Sequence, residues 1–296
     1  SAATPSCTRR ASVQCADESN FVTDGTDDYG KLKMIRKAYV DIPPGQMHYY
    51  YCGPDDQIPI IFLHQNVSSG VMYVRSFEIL QHKHRCIAFD FPGFGMSFDP
   101  PEFTSISELT RHIMAAVDAL GIDTFHALGN HTGAAMAAEM ASLYPERVKT
   151  CMMVGPTLLK PEELGPFREQ FSGSAGPDHD AEYLKVTWNY IYNLGGSLDI
   201  ENMNTEFWSS LRAWKARGWV YQCVWDYRFD LFIKDVKCPM LLLAAPDDVL
   251  HCGFKNTAAA CPEAKAVELQ GANFEPALDP EGFSRAIDEF LAEVGI

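Results

Sequence analysis

The segment LGNHTGAA, residues 128–135, places a histidine where the surrounding small residues lead one to expect a nucleophile. A glycine, two residues, a small residue and a second glycine form a tight turn whose middle position usually carries serine or cysteine. Here that position is His131, so acyl-enzyme chemistry through a serine is excluded. A neutral imidazole needs no external base to accept a proton, which predicts general base chemistry on water or on an acidic C–H or O–H bond.

The flanking sequence predicts that His131 lies on a sharp strand-to-helix turn. The apolar run FHALG (125–129) is typical of a strand, and the alanine-rich run from Gly133 onward is typical of a helix. Gly129 and Gly133 permit the close backbone approach of such a turn, and the small Ala134 and Ala135 let the helix pack behind it. Four small residues at these positions around His131 make the motif more specific than a pair of glycines alone.

Composition limits the classes of function. The chain has 296 residues, 47% of them hydrophobic, which suffices for one large domain or one domain with an insertion. A net charge of −15 disfavours nucleic acid and membrane-surface partners, and it leaves a small neutral or apolar molecule as the expected ligand. No run approaches the ~20 apolar residues of a membrane span, residues 1–30 lack the apolar core of a secretion signal, and we expect a cytoplasmic location. Oligomeric state stays open.

Cysteine usage indicates neither a disulfide framework nor a structural zinc site. The nine cysteines are an odd number without a CxxC spacing, and Cys86 and Cys151 lie in apolar runs where buried thiols are common. Cys7 with Cys15 is the only pair worth testing. We expect no metal and no cofactor.

Strand and helix patterns alternate along most of the chain, which favours an α/β fold with a doubly wound, mostly parallel sheet. Two alternating runs joined by PPG predict a hairpin, and continuous apolar runs predict strands buried on both faces. The predicted strands are KAYVDI, QMHYYYCG, IPIIFLH (58–64), RCIAFDF (85–91), FHALG (125–129), VKTCMMVG (148–155), PMLLLAA (239–245) and KAVELQ (265–270). The runs at 106–122 and 280–295 predict helices.

The alternation stops between roughly 157 and 235, where aromatic residues recur with helical spacing. A loop of that length without structure is uncommon, so we predict a helical cap. Most of its aromatic rings are expected to pack among themselves, and the others to cover a cleft. The predicted organisation is a polar N-terminal extension (1–34), a core of residues 35–156 and 236–296, and the cap (157–235).

With the turn at His131 placed, the sequence from about residue 36 to 296 resembles the α/β-hydrolase superfamily. Further motifs of that superfamily are FLHQ (62–65), DFPGFGMS (90–97), YPERV (144–148) and PMLLLAAPDD (239–248). The resemblance implies the α/β-hydrolase fold with a nucleophile elbow and a catalytic triad in the order nucleophile, acid, histidine. Fold and chemistry are separable, so the site residues must be compared one by one.

The resemblance places the nucleophile position on His131, the acid on Asp248 with Asp247 as the alternative, and the histidine position on Asn273 in GANFEPALDP. The triad is therefore degenerate. The two exchanges are predicted to compensate, because Asn273 is shorter than histidine and leaves room for a ring that now rises from the elbow. Either the amide of Asn273 or the carboxylate of Asp248 is expected to fix the tautomer of His131.

The resemblance also predicts an oxyanion hole. One arm is the backbone N–H of Thr132, whose hydroxyl we expect to cap the following helix, and the other comes from the loop HQNVSS after the third strand. In that loop Gln65 replaces the usual glycine and its amide could donate to a substrate carbonyl. His64 either braces the loop or takes part in binding. Asn66 starts a glycosylation sequon that we interpret as chance.

The sequence leaves open the roles of two further residues and allows three functions. His251 could approach the site or lie at the surface, and Glu275 could be an acid partner or face solvent. The favoured function is a hydrolase of an ester, lactone or activated C–C bond in a small apolar or aromatic substrate. The alternatives are a cofactor-free lyase, isomerase or cyclase in which His131 abstracts a substrate proton, and a non-catalytic ligand-binding protein.

Overall fold

The computed structural model describes residues 34–102, 105–173 and 175–295. Within these ranges the strands form one eight-stranded sheet in the order β1-β2-β4-β3-β5-β6-β7-β8. The pairs β1–β2 and β2–β4 are antiparallel and all later pairs are parallel. The strands are β1 (Arg36–Ile42), β2 (Gly45–Cys52), β3 (Ile60–Leu63), β4 (Cys86–Phe89), β5 (Phe125–Asn130), β6 (Val148–Val154), β7 (Met240–Ala244) and β8 (Lys265–Glu268).

Helices connect the strands and cover both faces of the sheet. They are α1 (Val74–Leu80), α2 (Ile106–Ala119), α3 (Thr132–Leu143), α4 (Pro161–Gln170), α5 (Glu182–Asn193), α6 (Ile200–Arg212), α7 (Trp214–Asp226), α8 (Phe229–Ile233), α9 (His251–Ala260), α10 (Glu275–Leu278) and α11 (Pro280–Val294). The predicted α/β fold with a doubly wound, mostly parallel sheet is therefore confirmed.

The buried strands explain why the sheet has two apolar cores. Successive side chains of a strand point to opposite faces, and in β3 Ile61 and Leu63 join one hydrophobic cluster while Ile60 and Phe62 join the other. Side chains of α2 and α3 complete the first cluster, and those of α1 and α11 complete the second. Both faces of β3 are thus buried, as its uninterrupted apolar sequence predicts.

Local sequence sets the bounds of α11, which closes the fold. The Asp279 side chain accepts a hydrogen bond from the Gly282 N–H, and Pro280 occupies the first helical position, where no N–H is needed. Gly295 follows the last turn with φ 68°, a conformation that glycine adopts without strain. These signals account for the agreement between the predicted and observed helix.

The cap segment, which we define as residues 157–235, contains α4 to α8, so the predicted helical character is confirmed. Its boundaries as a domain stay a prediction. Hydrogen bonds join it to the rest of the chain at several points: the Tyr227 hydroxyl donates to Glu139 at 2.8 Å, and the Ser68 hydroxyl donates to Glu206 at 3.1 Å. Trp208 and Tyr192 are exposed, whereas Tyr190, Tyr221 and Trp225 line a cavity.

Several expectations concern residues outside the described ranges. The N-terminal extension, except for residue 34, and the pair Cys7 and Cys15 fall there. The seven cysteines within the described part of the chain are all free thiols. No helix among the described residues combines the length and apolarity that crossing a membrane requires.

Candidate active site

His131 occupies the sharp turn between β5 and α3, with φ 49° and ψ −105°. A positive φ is unfavourable for a residue with a side chain and is retained only where the surrounding structure enforces it. Gly133 shows how tightly the turn is held, because a Cβ atom there would lie 2.0 Å from the carbonyl oxygen of Leu63 on the neighbouring strand. The predicted strand-to-helix turn is present, and it projects the imidazole at the carboxyl edge of the sheet.

Asp248 lies directly against the His131 ring. Its Oδ2 atom is 2.9 Å from Nε2 of His131, and its Oδ1 atom accepts a hydrogen bond from the Leu250 N–H at 2.7 Å. Asp248 is buried, whereas the neighbouring Asp247 is exposed. Of the two aspartates that the sequence left open, Asp248 is the one that the loop after β7 brings to the ring.

The electrostatics of this contact determine which ring nitrogen is available. Burial is the largest influence on the pKa of Asp248 and raises it. The imidazole of His131, together with hydrogen bonds from that ring and from Glu275, holds the pKa below its ordinary value. An ionised Asp248 accepts a hydrogen bond from Nε2–H of His131, which leaves Nδ1 as the nitrogen that can accept a proton. Nδ1 has no hydrogen-bond partner within the described ranges, and the ring lines a cavity.

Glu275 stands behind Asp248 and is fully buried. Its Oε1 atom accepts a hydrogen bond from the Ala245 N–H at 3.0 Å, while Oε2 has no donor within reach. Burial raises the pKa of Glu275 well above its ordinary value, and the negative charge of Asp248 raises it further. Both influences favour the protonated form of the Glu275 carboxyl, which is the form that can donate a hydrogen bond to Asp248. The open alternative in which Glu275 faces solvent is wrong.

Asn273 is buried and lines the same cavity, but its amide does not fix the His131 ring. Its Oδ1 atom accepts a hydrogen bond from the Val249 N–H at 3.3 Å, and its backbone carbonyl accepts one from Nε2 of Gln65 at 3.0 Å. These bonds connect three loops at the carboxyl edge of the sheet. Of the two groups that could orient the imidazole, Asp248 makes the contact.

The two predicted arms of an oxyanion hole both reach the cavity. Thr132 is the first residue of α3, so its N–H has no acceptor within the helix. The expectation that the Thr132 hydroxyl caps the helix is wrong, because the cap position is His131 and no side-chain cap bond is present. Gln65 uses one N–H of its amide for Asn273, and the second N–H of that group remains.

His64 and Asn66 position the loop that carries Gln65. Nδ1 of His64 donates to the Gln65 carbonyl at 2.8 Å, the Phe91 N–H donates to Nε2 at 2.9 Å, and burial lowers the pKa of His64 to about 4. Both nitrogens of this neutral ring are engaged, so His64 braces the loop. Asn66 lines the cavity and donates to the Arg217 carbonyl at 3.1 Å, and its burial is incompatible with glycosylation.

The cavity lies between the carboxyl edge of the sheet and the cap segment. It encloses about 460 Å³ of space between atoms, including its mouth. Its floor is polar, and its roof is largely aromatic. The floor includes Gln65, Asn66, His131, Thr132 and Asn273, and the roof includes Phe167, Phe171, Tyr190, Tyr221 and Trp225.

Gly155, at the end of β6, is a site residue that the sequence reasoning missed. It has φ 51°, and a Cβ atom there would lie 2.5 Å from Cδ2 of His131 and 2.7 Å from Oδ2 of Asp248. Only glycine therefore leaves room for the bond between these two side chains. His251, by contrast, pairs with Glu268 at 3.1 Å and does not reach the His131 ring.

The parallel sheet, the strained turn after β5 and the buried acid after β7 define a protein of the α/β-hydrolase fold. The chain matches the family described as alpha/beta hydrolase fold over residues 58–176. Over that part of the chain the sequence is similar to this family, and the structure as a whole has the α/β-hydrolase fold.

Several proteins that resemble this chain are named as hydrolases. A protein of Azorhizobium caulinodans with the provisional name carbamate hydrolase RutD is 25% identical over 248 residues, which cover 79% of this chain and 91% of that protein. The enol-lactonase of Burkholderia xenovorans LB400 superposes with a TM-score of 0.73 at 16% identity, over 86% of this chain and 100% of that one. Carboxylesterase CesB of Bacillus subtilis superposes with a TM-score of 0.71 at 19% identity, over 87% of this chain and 92% of that one. At these identities the two structures establish the fold alone. Taken together, the relatives support a hydrolase in general terms.

Proposed function

We propose that this protein hydrolyses an ester, a lactone or an activated C–C bond in a small apolar or aromatic substrate, with His131 as general base. One observation carries the proposal. His131 is held at the elbow with a buried carboxylate on Nε2, its ring lines a cavity, and Nδ1 has no hydrogen-bond partner among the described residues. That arrangement suits proton transfer at Nδ1 and offers no serine to acylate.

The reaction follows from these groups. A water molecule gives a proton to Nδ1 while its oxygen forms a bond to the substrate carbonyl carbon, and the π electrons move to the carbonyl oxygen. The Thr132 N–H and the free N–H of the Gln65 amide donate to that oxyanion. When the intermediate collapses, the bond to the leaving group breaks and the leaving group takes the proton from Nδ1. Asp248 stabilises the imidazolium that exists between the two steps.

The roof of the cavity supports the substrate class. Phe167, Phe171 and Trp225 offer apolar ring surface above a floor that carries the base and the hydrogen-bond donors. A substrate with an apolar or aromatic body and one carbonyl group matches this division. The named relatives act on carbamate, lactone and carboxylester bonds, which supports a carbonyl substrate here.

The same base also suits a cofactor-free lyase, isomerase or cyclase. The specific observation is that the ring of His131 lines the cavity while its Nδ1 has no hydrogen-bond partner among the described residues. If Nδ1 removes a proton from carbon, the Thr132 N–H and Gln65 amide would stabilise the resulting enolate. The two reactions differ in whether a water oxygen enters the product.

The test is turnover of a panel of aryl esters, lactones and vinylogous diketones by the wild type, His131→Ala and His131→Gln. We expect both variants to lose activity by about 10²- to 10⁴-fold, the usual contribution of a general base. His251→Ala is the matched control and keeps wild-type rates, because His251 pairs with Glu268 outside the cavity.

Unchanged activity in His131→Ala contradicts the mechanism. In water enriched in oxygen-18, hydrolysis places the label in the product, whereas product without label indicates lyase or isomerase chemistry. Absence of turnover across the whole panel, with retained ligand binding, favours a binding protein.

A further inference from the structure

Arg217 lies in the cap segment on the face of α7 that covers the cavity. Positions 217, 221, 224 and 225 are spaced i, i+4, i+7 and i+8, which places them on one side of the helix. Tyr221, Val224 and Trp225 all line the cavity. Arg217 therefore lies on the same side of α7 as these three residues, one turn closer to the start of the helix.

Arg217 is buried, and it has no counter-ion among the described residues. Its side chain is 5% exposed, and it is the only lysine or arginine among the buried residues of the described ranges. Its Nε atom has no hydrogen-bond partner, and none of the carboxylates in the described part of the chain forms an ion pair with it. Arg75, in contrast, pairs with Asp199 at 2.9 Å. Removing one guanidinium from water is unfavourable unless an anion neutralises it.

The protein compensates only in part. The Cζ atom of Arg217 lies 4.0 Å from the centroid of the Tyr190 ring, a cation–π contact that is weaker than a buried ion pair. The Tyr190 and Tyr221 hydroxyls are hydrogen-bonded to each other, and the Asn66 amide donates to the Arg217 carbonyl. Tyr190, Tyr221 and Asn66 all line the cavity, so the positive charge sits directly behind the cavity wall.

The two tyrosine hydroxyls are suited to donate a hydrogen bond to a negatively charged ligand near Arg217. Burial raises the pKa of Tyr190 and of Tyr221, although Arg217 acts to lower both, so the hydroxyls stay protonated. Since they bond to each other, at least one hydroxyl proton is free to turn toward the cavity. A protonated hydroxyl beside a cation is a strong donor to a negatively charged oxygen.

We propose that the cap side of the cavity binds a carboxylate group of the substrate, which accepts a hydrogen bond from the Tyr190 and Tyr221 pair and neutralises Arg217. This inference rests on the proposed function in one respect, that the cavity is the substrate site, and it narrows the substrate to an apolar or aromatic compound with a carboxylate. The net charge of −15 makes the surroundings unfavourable for anions, so this affinity must come from the local group.

The experiment compares phenylacetate with phenylacetamide, a matched anionic and neutral pair. Binding is followed by quenching of tryptophan fluorescence, because Trp225 lines the cavity, and by calorimetry. We expect the wild type to bind the acid about 10- to 100-fold more tightly than the amide, the range for hydrogen bonds to a charged group. In Arg217→Gln and Arg217→Met the acid loses this advantage while the affinity for the amide stays the same.

Lys215→Gln is the matched control. Lys215 is exposed on the same helix, so this variant removes the same charge without altering the cavity and should keep the preference for the acid. Equal affinity of the wild type for both probes, failure of the acid to bind, or an undiminished preference in Arg217→Gln overturns the proposal. The wild-type comparison decides the matter even if both Arg217 variants fail to fold.

The same titrations in His131→Ala separate this inference from the proposed function. Suppose that His131→Ala still binds phenylacetate more tightly than phenylacetamide, and that the wild type turns over no ester or lactone. Carboxylate recognition is then supported and the hydrolase proposal fails. If esters are turned over without any preference for the acid, the reverse holds.

Discussion

At the scale of single residues, the site combines three titratable groups in which each determines the state of the next. Burial and the charge of Asp248 raise the pKa of Glu275, and the interaction between the two carboxyl groups lowers the pKa of Asp248. Asp248 in turn holds the proton of His131 on Nε2. In the proposed mechanism the remaining nitrogen, Nδ1, accepts the proton from water or from the substrate.

Replacing Asp248 by asparagine tests whether this carboxylate fixes the tautomer of His131. The amide can accept a hydrogen bond from Nε2–H or donate one to Nε2, so the tautomer is no longer fixed, and no charge stabilises the imidazolium. We expect kcat to fall by about 10²- to 10⁴-fold with little change in KM. Steady-state kinetics measure the loss, and nitrogen NMR of the labelled ring reports the tautomer.

Asp247→Asn is the control for Asp248→Asn, because Asp247 is exposed one position earlier in the chain. We expect wild-type kinetics from it. Equal losses in the two variants would mean that the loop conformation, rather than the contact with His131, limits the rate.

The apolar runs that define β5 and β7 placed His131 and narrowed the acid to Asp248 or Asp247, and burial in the structure decided between these two residues. Glu275 was left open between two roles because its burial depends on packing between the loops after β7 and β8, which no local pattern encodes. Gly155 and Arg217 were missed for the same reason. Gly155 is one glycine of many in the sequence, and Arg217 looks like an ordinary charged position on an amphipathic helix until its missing counter-ion is seen.

At the scale of elements, the strand order explains the role of Gly155. His131 follows β5 and Asp248 follows β7, and β6 lies between these two strands in the sheet. The residue that follows β6, Gly155, must therefore lie beneath the bond that joins His131 to Asp248. Strand order requires a residue without a side chain at that point.

Gly155→Ala is expected to displace the imidazole and strain the backbone. A Cβ atom at 2.5 Å from Cδ2 of His131 cannot be accommodated without movement, and φ 51° is unfavourable for alanine. We expect a loss of about 1–3 kcal/mol in the free energy of unfolding and more than about a tenfold loss in kcat. Urea unfolding and kinetics measure the two effects.

The matched control is Gly165→Ala within α4, where a Cβ atom meets nothing within 4 Å. The higher helix propensity of alanine is opposed by its steric contact with the ring of Pro166, so this variant should change the free energy of unfolding by less than about 1 kcal/mol and keep its activity. A wild-type rate in Gly155→Ala would show that the ring tolerates displacement and that its position is not critical.

The junction between the cap segment and the core holds a second buried carboxyl group. Glu206 of α6 accepts a hydrogen bond from the Ser68 hydroxyl in the loop after β3, and burial raises the pKa of Glu206 to about 7. Because this folded-state pKa exceeds the ordinary value, the folded state binds the proton more tightly than the unfolded state. The contribution of Glu206 to stability is intact below about pH 4.5 and is lost as the pH rises to about 7.

Glu206→Gln should not show this decrease in stability with rising pH, because the amide side chain carries no charge that must be buried. We expect the difference in unfolding free energy between this variant and the wild type to grow by about 3 kcal/mol between pH 4.5 and pH 8. Denaturant unfolding at several pH values measures it. Glu201→Gln is the control on the same helix, where the side chain is 87% exposed, and its difference from the wild type should stay constant with pH. A constant difference for Glu206→Gln would place its proton uptake outside this range.

At the scale of the whole molecule, the excess of acidic residues sets how stability responds to salt. The chain carries 39 aspartates and glutamates against 24 lysines and arginines, which gives 24 − 39 = −15. Repulsion among these charges destabilises the compact state and is screened when the Debye length falls, from about 30 Å at 0.01 M to about 8 Å at 0.15 M salt. At pH 8 we therefore expect Tm to rise with sodium chloride over this range.

The reason for that rise can be separated from general salt effects by lowering the pH. Near the pH of zero net charge the self-repulsion vanishes, so the same addition of sodium chloride should leave Tm almost unchanged. Calorimetric scans at both pH values measure the contrast, and a neutral osmolyte such as sucrose, which acts by exclusion from the surface, should raise Tm at both. If sodium chloride raised Tm equally at the two pH values, exclusion rather than screening would be the cause, and the net charge would not limit the stability of the fold.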